Sequence, residues 1–187
     1  MGLDSAGFEV TGVDITDGHQ YPYEFIHNDV FELDIEFLRK FDIIWASPPC
    51  QYYSYGTKKF DRYLKYPDLV DKTRQLLLKT NRSFIIENVV GAPLRKDLRL
   101  CGQMFGLRIV RHRIFEIEGF TVLEPPHEKH IAPNNGRSYY AQIAGHGGNS
   151  YSFKLEDWKK AMGIHHINKK EHLTQAVPPA YSEYIAK

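Results

Sequence analysis

Phe41-Asp-Ile-Ile-Trp-Ala-Ser-Pro-Pro-Cys-Gln51 decides how this chain is read. Phe41 to Ala46 is a short apolar run rich in strand-forming residues, and Ser47, Pro48 and Pro49 end it abruptly. Proline has no N–H to give to a ladder and its ring fixes φ, so the residues after the pair are held by stiff backbone. Those residues are Cys50 and Gln51. A buried strand ending in a rigid turn that displays a thiol is how an α/β sheet presents a reactive group at its carboxyl edge, so Cys50 is read as a nucleophile. The competing reading is a cysteine used as a small apolar core residue, and the neighbouring segments decide between the two.

Upstream, Phe8-Glu-Val-Thr-Gly-Val-Asp14 alternates like a strand and ends in a carboxylate. In nucleotide-binding α/β folds an acidic residue at such a strand end accepts hydrogen bonds from ribose hydroxyls. Phe25 to Val30 predicts a second short strand with Asp29 at its tip, and Asp34 predicts the cap of a short helix through Arg39. Downstream, Tyr52 to Lys59 is polar and aromatic without helix or strand period, which predicts a loop beside the reactive centre. Pro67 predicts the start of a helix with Leu69, Val70, Thr73, Leu76 and Leu77 on one face. Ser83 to Val90 predicts a buried strand ended by Gly91-Ala-Pro93. Its Glu87 follows three apolar positions, where a charge is costly unless paired, protonated or at the sheet edge.

Leu98 to Gly106 reads as a short helix closed by glycine, and Arg111 to Ile117 as a strand carrying Arg111 and Arg113 on one face. Two adjacent guanidiniums call for something anionic or acceptor-rich in front of them. Tyr139 to Ala144 reads as a strand among loops, Leu155 to Met162 as an amphipathic helix ended by Gly163, and Pro178 to Ile185 as a closing helix with Tyr181 and Ile185 at i and i+4. Strands alternating with helices predict an α/β fold with a mostly parallel sheet covered on both faces. Asp14, Asp29, Cys50 and Glu87 all fall at predicted strand ends, where such folds keep their reactive groups.

The length of 187 residues suits one domain with a real core. Two cysteines, Cys50 and Cys101, make neither a disulfide framework nor a four-ligand zinc site, and His127, His130 and His146 are too scattered to claim one, so no metal is expected. No apolar run reaches membrane-span length and no basic, apolar leader opens the chain, which predicts an intracellular protein with no membrane partner. A net charge of +1 does not advertise nucleic acid binding. Lys58 to Lys65, and Arg95, Lys96, Arg99, Arg108, Arg111 and Arg113, are nonetheless basic clusters interleaved with aromatic residues, facing either solvent or phosphate.

Pro49-Cys-Gln51 followed by Ser54 and Gly56, then Glu87-Asn-Val89, then Arg111-His-Arg113 with Ile-Phe-Glu behind it, resemble in order the motifs of the DNA cytosine carbon-5 methyltransferases. Trp158-Lys-Lys-Ala-Met-Gly-Ile164 and Leu173-Thr-Gln-Ala-Val-Pro-Pro-Ala-Tyr181 resemble the ending of compact phage-type members, so the likeness runs from about Ser5 to the last residue. The resemblance implies a Rossmann-like S-adenosylmethionine-dependent methyltransferase fold over 1–187, with a loop-rich insertion at 118–153 in place of a recognition domain. It implies no metal, a cytoplasmic setting in a bacterial or phage-infected cell, and a DNA partner with a flipped cytosine.

Site roles follow from the same resemblance. Cys50 would add to carbon 6 of the ring, Glu87 would protonate nitrogen 3, Arg113 would contact the base carbonyl and Arg111 would support the site. Gln51, Ser54 and Asn88 would meet the target nucleotide, with Gln51 to Lys59 as a lid. Asp14 would take the cofactor ribose, Ile15 the adenine face, Asp29 and Val30 the adenine edge, and Pro49 would line the pocket. Gln175 and Ala176 stand where the family has Asn-Ser near the methionine moiety. The family also opens with a strand and a glycine-rich turn, whereas Met1 to Phe8 resembles the end of the helix beyond that turn. The expectation is an incomplete start, with the strand between those ending at Asp14 and Ala46 supplied by an upstream segment or a second chain. The leading reading is therefore an enzyme. A catalytically silent DNA- or cofactor-binding remnant is the runner-up, and a cysteine hydrolase pairing Cys50 with a histidine is a third reading that leaves Glu87 and the arginines unused.

Overall fold

In the computed structural model, Ser83–Asn88 forms the strand around which the sheet is built, because Phe84, Ile85 and Ile86 are apolar on both faces and all three are buried. The structure describes residues 1–18, 21–131, 140, 141, 143 and 154–187. The strands are β1 (Thr11–Asp14), β2 (Glu24–His27), β3 (Ile43–Ala46), β4 (Ser83–Asn88), β5 (Leu98–Leu100) and β6 (Arg113–Glu118). The helices are α1 (Gly2–Ser5), α2 (Ile35–Leu38), α3 (Tyr55–Lys58), α4 (Val70–Thr80), α5 (Leu155–Met162), α6 (Lys170–Gln175) and α7 (Pro179–Ile185). They pack as two compact units, one of Gly12–Arg99 with His112–Glu124, the other of Met1–Thr11, Leu100–Arg111 and Pro125–Lys187.

In the first unit β3, β4, β6 and β5 form one sheet in that order, and β1 and β2 form a separate pair. β3 runs parallel to β4 with Ala46 opposite Ile86, and β6 runs antiparallel to β4 with Phe115 opposite Glu87. The sheet is therefore mixed, not mostly parallel. The connection from β4 to β6 contains β5 and one 3-10 turn but no α-helix among the described residues, and an antiparallel neighbour needs no crossover helix.

Helix α4 covers one face. Val70, Thr73, Leu77 and Thr80 recur at helical spacing and are buried, with Val70 and Leu77 in the cluster that also holds Phe84, Ile86 and Ile114. Its start falls at Val70 and not at Pro67, and Asn81 closes it in the left-handed conformation. Arg74 of α4 grips Glu116 of β6 through two bonds, Nε to Oε1 at 2.7 Å and Nη2 to Oε2 at 2.8 Å. Burial alone would raise the Glu116 carboxyl, but Arg74, the Arg95 backbone N–H and the charges of both arginines outweigh it and hold the group below the usual carboxylate range. A depressed folded value means that this pair stabilises the fold fully above the ordinary carboxylate range and loses its effect as pH falls through the folded value. Glu116→Gln is expected to cost about 3 kcal/mol at neutral pH and to flatten the acid limb of a urea-midpoint-against-pH curve.

The short elements follow local rules. Asp34 caps α2 by accepting from Glu36 N at 3.0 Å. Tyr55–Lys58, inside the stretch read as a loop, forms the single-turn helix α3, steadied by the Thr57 hydroxyl donating to the carbonyls of Ser54 and Gln51. Leu98 to Gly106 is not one helix but β5 followed by a 3-10 turn at Gly102–Phe105.

In the second unit α5 buries Trp158, Ala161 and Met162 against Ile109, Ile143 and Leu173, and Gly163 ends it at φ +67°, a conformation that favours glycine. Helix α6 is an element that the motif reading of 173–181 does not anticipate. Helix α7 opens with Pro179 and buries Tyr181 and Ile185 one turn apart, and α1 packs against it. The strand read over Tyr139 to Ala144 is described only at Tyr140, Ala141 and Ile143, where Ala141 bridges Ile109. The rest of it, His146, and all else of the Pro133 to Tyr151 recognition loop lie outside the described residues. No described helix is long and apolar enough to cross a membrane.

Candidate functional site

The parallel register of β3 and β4 brings both strands to the same edge of the sheet, so the Ser47-Pro-Pro-Cys50 turn and the Glu87–Asn88 tip are neighbours. Asn88 fastens them, its Nδ2 donating to the Pro48 carbonyl at 2.9 Å while its Oδ1 accepts from Val89 N at 2.8 Å. Its buried amide thereby braces the proline turn. Beyond the prolines the Cys50 carbonyl accepts from Tyr53 N at 3.0 Å and from Ser54 N at 2.9 Å, turning the chain back at once. Gln51 and Ser54 lie in this turn. Gly91 packs so closely on it that a Cβ there would sit 2.9 Å from the Tyr53 carbonyl, a role for glycine that the strand-ending Gly91-Ala-Pro93 only hints at.

Glu87 is 5% exposed. Residues alternate across the pleat, so Glu87, its partner Phe115 and, two residues before Phe115, Arg113 point to one face of the sheet. Arg113 Nε meets Glu87 Oε1 at 2.8 Å, with both side chains largely shielded from water. A buried carboxylate is tolerable because this guanidinium neutralises it. The same face carries Trp45, edge-on to Phe115 with ring centroids 5.7 Å apart.

Arg111 lies outside the strand that carries Arg113. It precedes β6, so the period-two argument does not apply to it, and its guanidinium donates to the carbonyls of Ile143 at 3.1 Å and Thr174 at 2.6 Å. Its own carbonyl accepts from the Tyr181 hydroxyl at 2.6 Å. Arg111 thus anchors the end of α6, where Gln175 is the last helical residue and Ala176 the cap.

On β1, Asp14 Oδ1 accepts from Thr16 N at 2.8 Å and Thr16 Oγ1 at 2.7 Å, which fixes the carboxylate at the strand end, and Ile15 beside it is 68% exposed. Asn28 N donates to the Asp14 carbonyl at 3.1 Å, joining this tip to that of β2. Asp29 lies past the end of β2 and caps the 3-10 turn that begins at Val30, accepting from Phe31 N at 2.9 Å. A fixed carboxylate that accepts hydrogen bonds, beside an exposed aliphatic side chain, fits ribose hydroxyls and a purine face.

The two basic clusters differ. Arg95 pairs with Asp97 and Glu118, and Arg99 with Glu124, so these arginines face acids of their own chain. In α3 and the segment after it, Lys59 and Arg62 lie over the Phe60 ring, and Tyr55, Phe60 and Leu64 are 79, 62 and 71% exposed. Exposed rings with cations against them are what stacking on nucleic acid bases uses.

The histidines are not all scattered. His127 Nε2 lies 3.0 Å from His130 Nε2, which lies 3.4 Å from Cys101 Sγ. The signal available in the sequence is the His127-x-x-His130 spacing. The second cysteine, Cys101, is fully buried, whereas Cys50 is half-buried, and neither is in a disulfide.

The model of the C-5 cytosine-specific DNA methylase family matches residues 1–106, a stretch that contains Cys50 and Glu87 and stops short of Arg111 and Arg113. A search of curated proteins returned no match.

Proposed function

Because the chain belongs to the C-5 cytosine-specific DNA methylase family, we propose that it transfers a methyl group from S-adenosylmethionine to carbon 5 of a cytosine in DNA through a covalent bond to Cys50. The observation that carries this reading is the buried Glu87–Arg113 pair at the tip of the strand beside the Cys50 turn. Carbon 5 of cytosine is a weak nucleophile until the ring becomes an enamine. The Cys50 thiolate adds to carbon 6, and the electrons displaced from the 5,6 double bond move toward nitrogen 3 and the carbonyl. Glu87, taking up a proton as the base enters, delivers it to nitrogen 3, and Arg113, beside Glu87, stabilises charge on the carbonyl oxygen. S-adenosylmethionine, when bound, supplies the electrophilic methyl that carbon 5 takes up. Loss of the carbon-5 proton to a base then expels Cys50 as thiolate, and nitrogen 3 returns its proton to Glu87 as the aromatic ring is restored.

Asp14 and Ile15 would hold the ribose and adenine, with Asp29 and Val30 at the adenine edge, Pro49 against the pocket and Gln175 with Ala176 toward the methionine end. Gln51, Ser54 and the segment through Lys59 would close over a cytosine flipped from the duplex, replacing its stacking with protein contacts. Arg111 acts in this scheme by positioning the end of α6 and not by touching the base. The stretch 118–153 would stand in place of a recognition domain, and the cytoplasm of a bacterial or phage-infected cell would be the setting.

A second reading, a DNA- or cofactor-binding protein without turnover, is favoured by one observation: the β1–β2 pair and β3 belong to separate sheets. The sequence reading expects a strand between them. The two readings separate on cytosine-containing duplex DNA with labelled S-adenosylmethionine. An enzyme yields 5-methylcytosine in the digested DNA and binds the cofactor at micromolar concentration or tighter, about −8 kcal/mol by calorimetry. Binding without product supports the second reading, and product modified at another atom overturns both.

A further inference from the structure

We propose that Cys101, His127 and His130 form a zinc-binding site, independent of the methyl-transfer reading. Their ligand atoms, Sγ of the cysteine and one ring nitrogen of each histidine, all lie within 4.8 Å of one another. Zinc bonds of about 2.3 Å to sulfur and about 2.05 Å to nitrogen, at tetrahedral angles, set S···N near 3.6 Å and N···N near 3.3 Å. The observed 3.4 Å from Cys101 Sγ to His130 Nε2 and 3.0 Å from His127 Nε2 to His130 Nε2 match that spacing closely. Small movements of the histidine side chains bring all three onto one ion.

The surroundings suit a metal better than a nucleophile. Cys101 is fully buried between β5 and the 3-10 turn at Gly102–Phe105, so its thiol is not presented to a substrate. The backbone around it is set by local bonds: Met104 N donates to the Cys101 carbonyl at 3.0 Å, and Gln103 Nε2 reaches the Lys129 carbonyl at 3.4 Å. His130 is backed by the Tyr140 ring, edge-on at 5.6 Å, and the Tyr140 hydroxyl accepts from Ile131 N at 3.4 Å. A thiolate with two imidazoles is a donor set that selects zinc over hard cations. On binding, the Cys101 thiol gives its proton to solvent and both imidazoles coordinate as neutral rings. The ion would staple the Pro125 to Ile131 segment to the turn after β5, two stretches far apart in sequence.

The test uses the full chain without a histidine tag, loaded first with cobalt(II) as a spectroscopic stand-in and then with zinc. The wild type is expected to bind one equivalent and to show a thiolate-to-cobalt charge-transfer band in the near ultraviolet, with the intense visible bands of a tetrahedral site. The chain has only two cysteines, so the band assigns itself: it persists in Cys50→Ser and disappears in Cys101→Ser. His127→Ala and His130→Ala should each weaken zinc binding beyond the roughly 10–100-fold that loss of a merely supporting contact produces. Should Cys101→Ser fail to fold, the band in Cys50→Ser still identifies the remaining thiol. Absence of the band in the wild type, or its loss in Cys50→Ser, overturns the proposal.

Discussion

Replacing Cys50 with serine abolishes methyl transfer while leaving the fold in place. The loss is expected to be on the order of 10^5-fold or more, because a serine hydroxyl at this site has no base assigned to activate it and is far from its own pKa, whereas a thiol is partly ionised at neutral pH. The substitution should be quiet structurally. The Cys50 carbonyl, not its side chain, receives the Tyr53 and Ser54 N–H groups, and Pro48 is held by Asn88. Serine keeps all of those bonds. The measurement is turnover beside a melting curve: turnover disappears and the midpoint moves by no more than a few degrees. A serine variant retaining a tenth of the activity would remove Cys50 from the chemistry.

The second large effect is at Glu87, where two roles must be separated. As the partner of Arg113 at 2.8 Å it holds a buried charge pair together, and as an acid it protonates the ring. Glu87→Ala disturbs both and leaves a shielded guanidinium without this carboxylate, costing about 3–5 kcal/mol of stability. Glu87→Gln keeps the shape and an oxygen for Arg113 to donate to, but the amide cannot supply a proton to nitrogen 3. Its turnover is expected to fall about 10^2–10^4-fold with far less loss of stability than the alanine variant shows. A purely structural Glu87 predicts the reverse, with activity tracking stability through both substitutions.

What the sequence could convey depended on whether a segment's signal was local. The Phe41 to Ala46 strand and its proline stop are read correctly because apolar run and breaker are adjacent, and β3 ends at Ala46. Asp34 as a cap, Gly163 as a helix end and the Tyr181/Ile185 face of α7 are local in the same sense. Leu98 to Gly106 misleads because Leu98 and Leu100 are buried at period two on β5 and the next residues turn through a 3-10 segment, a pattern that a glycine-terminated helix imitates over nine positions. The start of β6 is read two residues early, at Arg111, because two arginines two apart imitate a strand's period, and β6 begins at Arg113. The partner choice of Asn88 and the meeting of Cys101 with His127 and His130 are tertiary facts, separated by 40 residues for Asn88–Pro48 and 29 for Cys101–His130, which no periodicity encodes. The mixed sheet is of the same kind, since strand direction is settled by which edge β6 finds.

The central claim, that Cys50 becomes bonded to a cytosine ring activated through Glu87, is tested most directly by trapping. Duplex DNA carrying 5-fluorocytosine lets the thiolate add and the methyl transfer, but fluorine cannot leave carbon 5 as a proton does, so the complex stalls. The account predicts a denaturation-resistant protein–DNA adduct that requires S-adenosylmethionine, maps to Cys50 by peptide mass and is absent in Cys50→Ser. No adduct under conditions where the protein binds both DNA and cofactor, or one attached through Cys101, would contradict it.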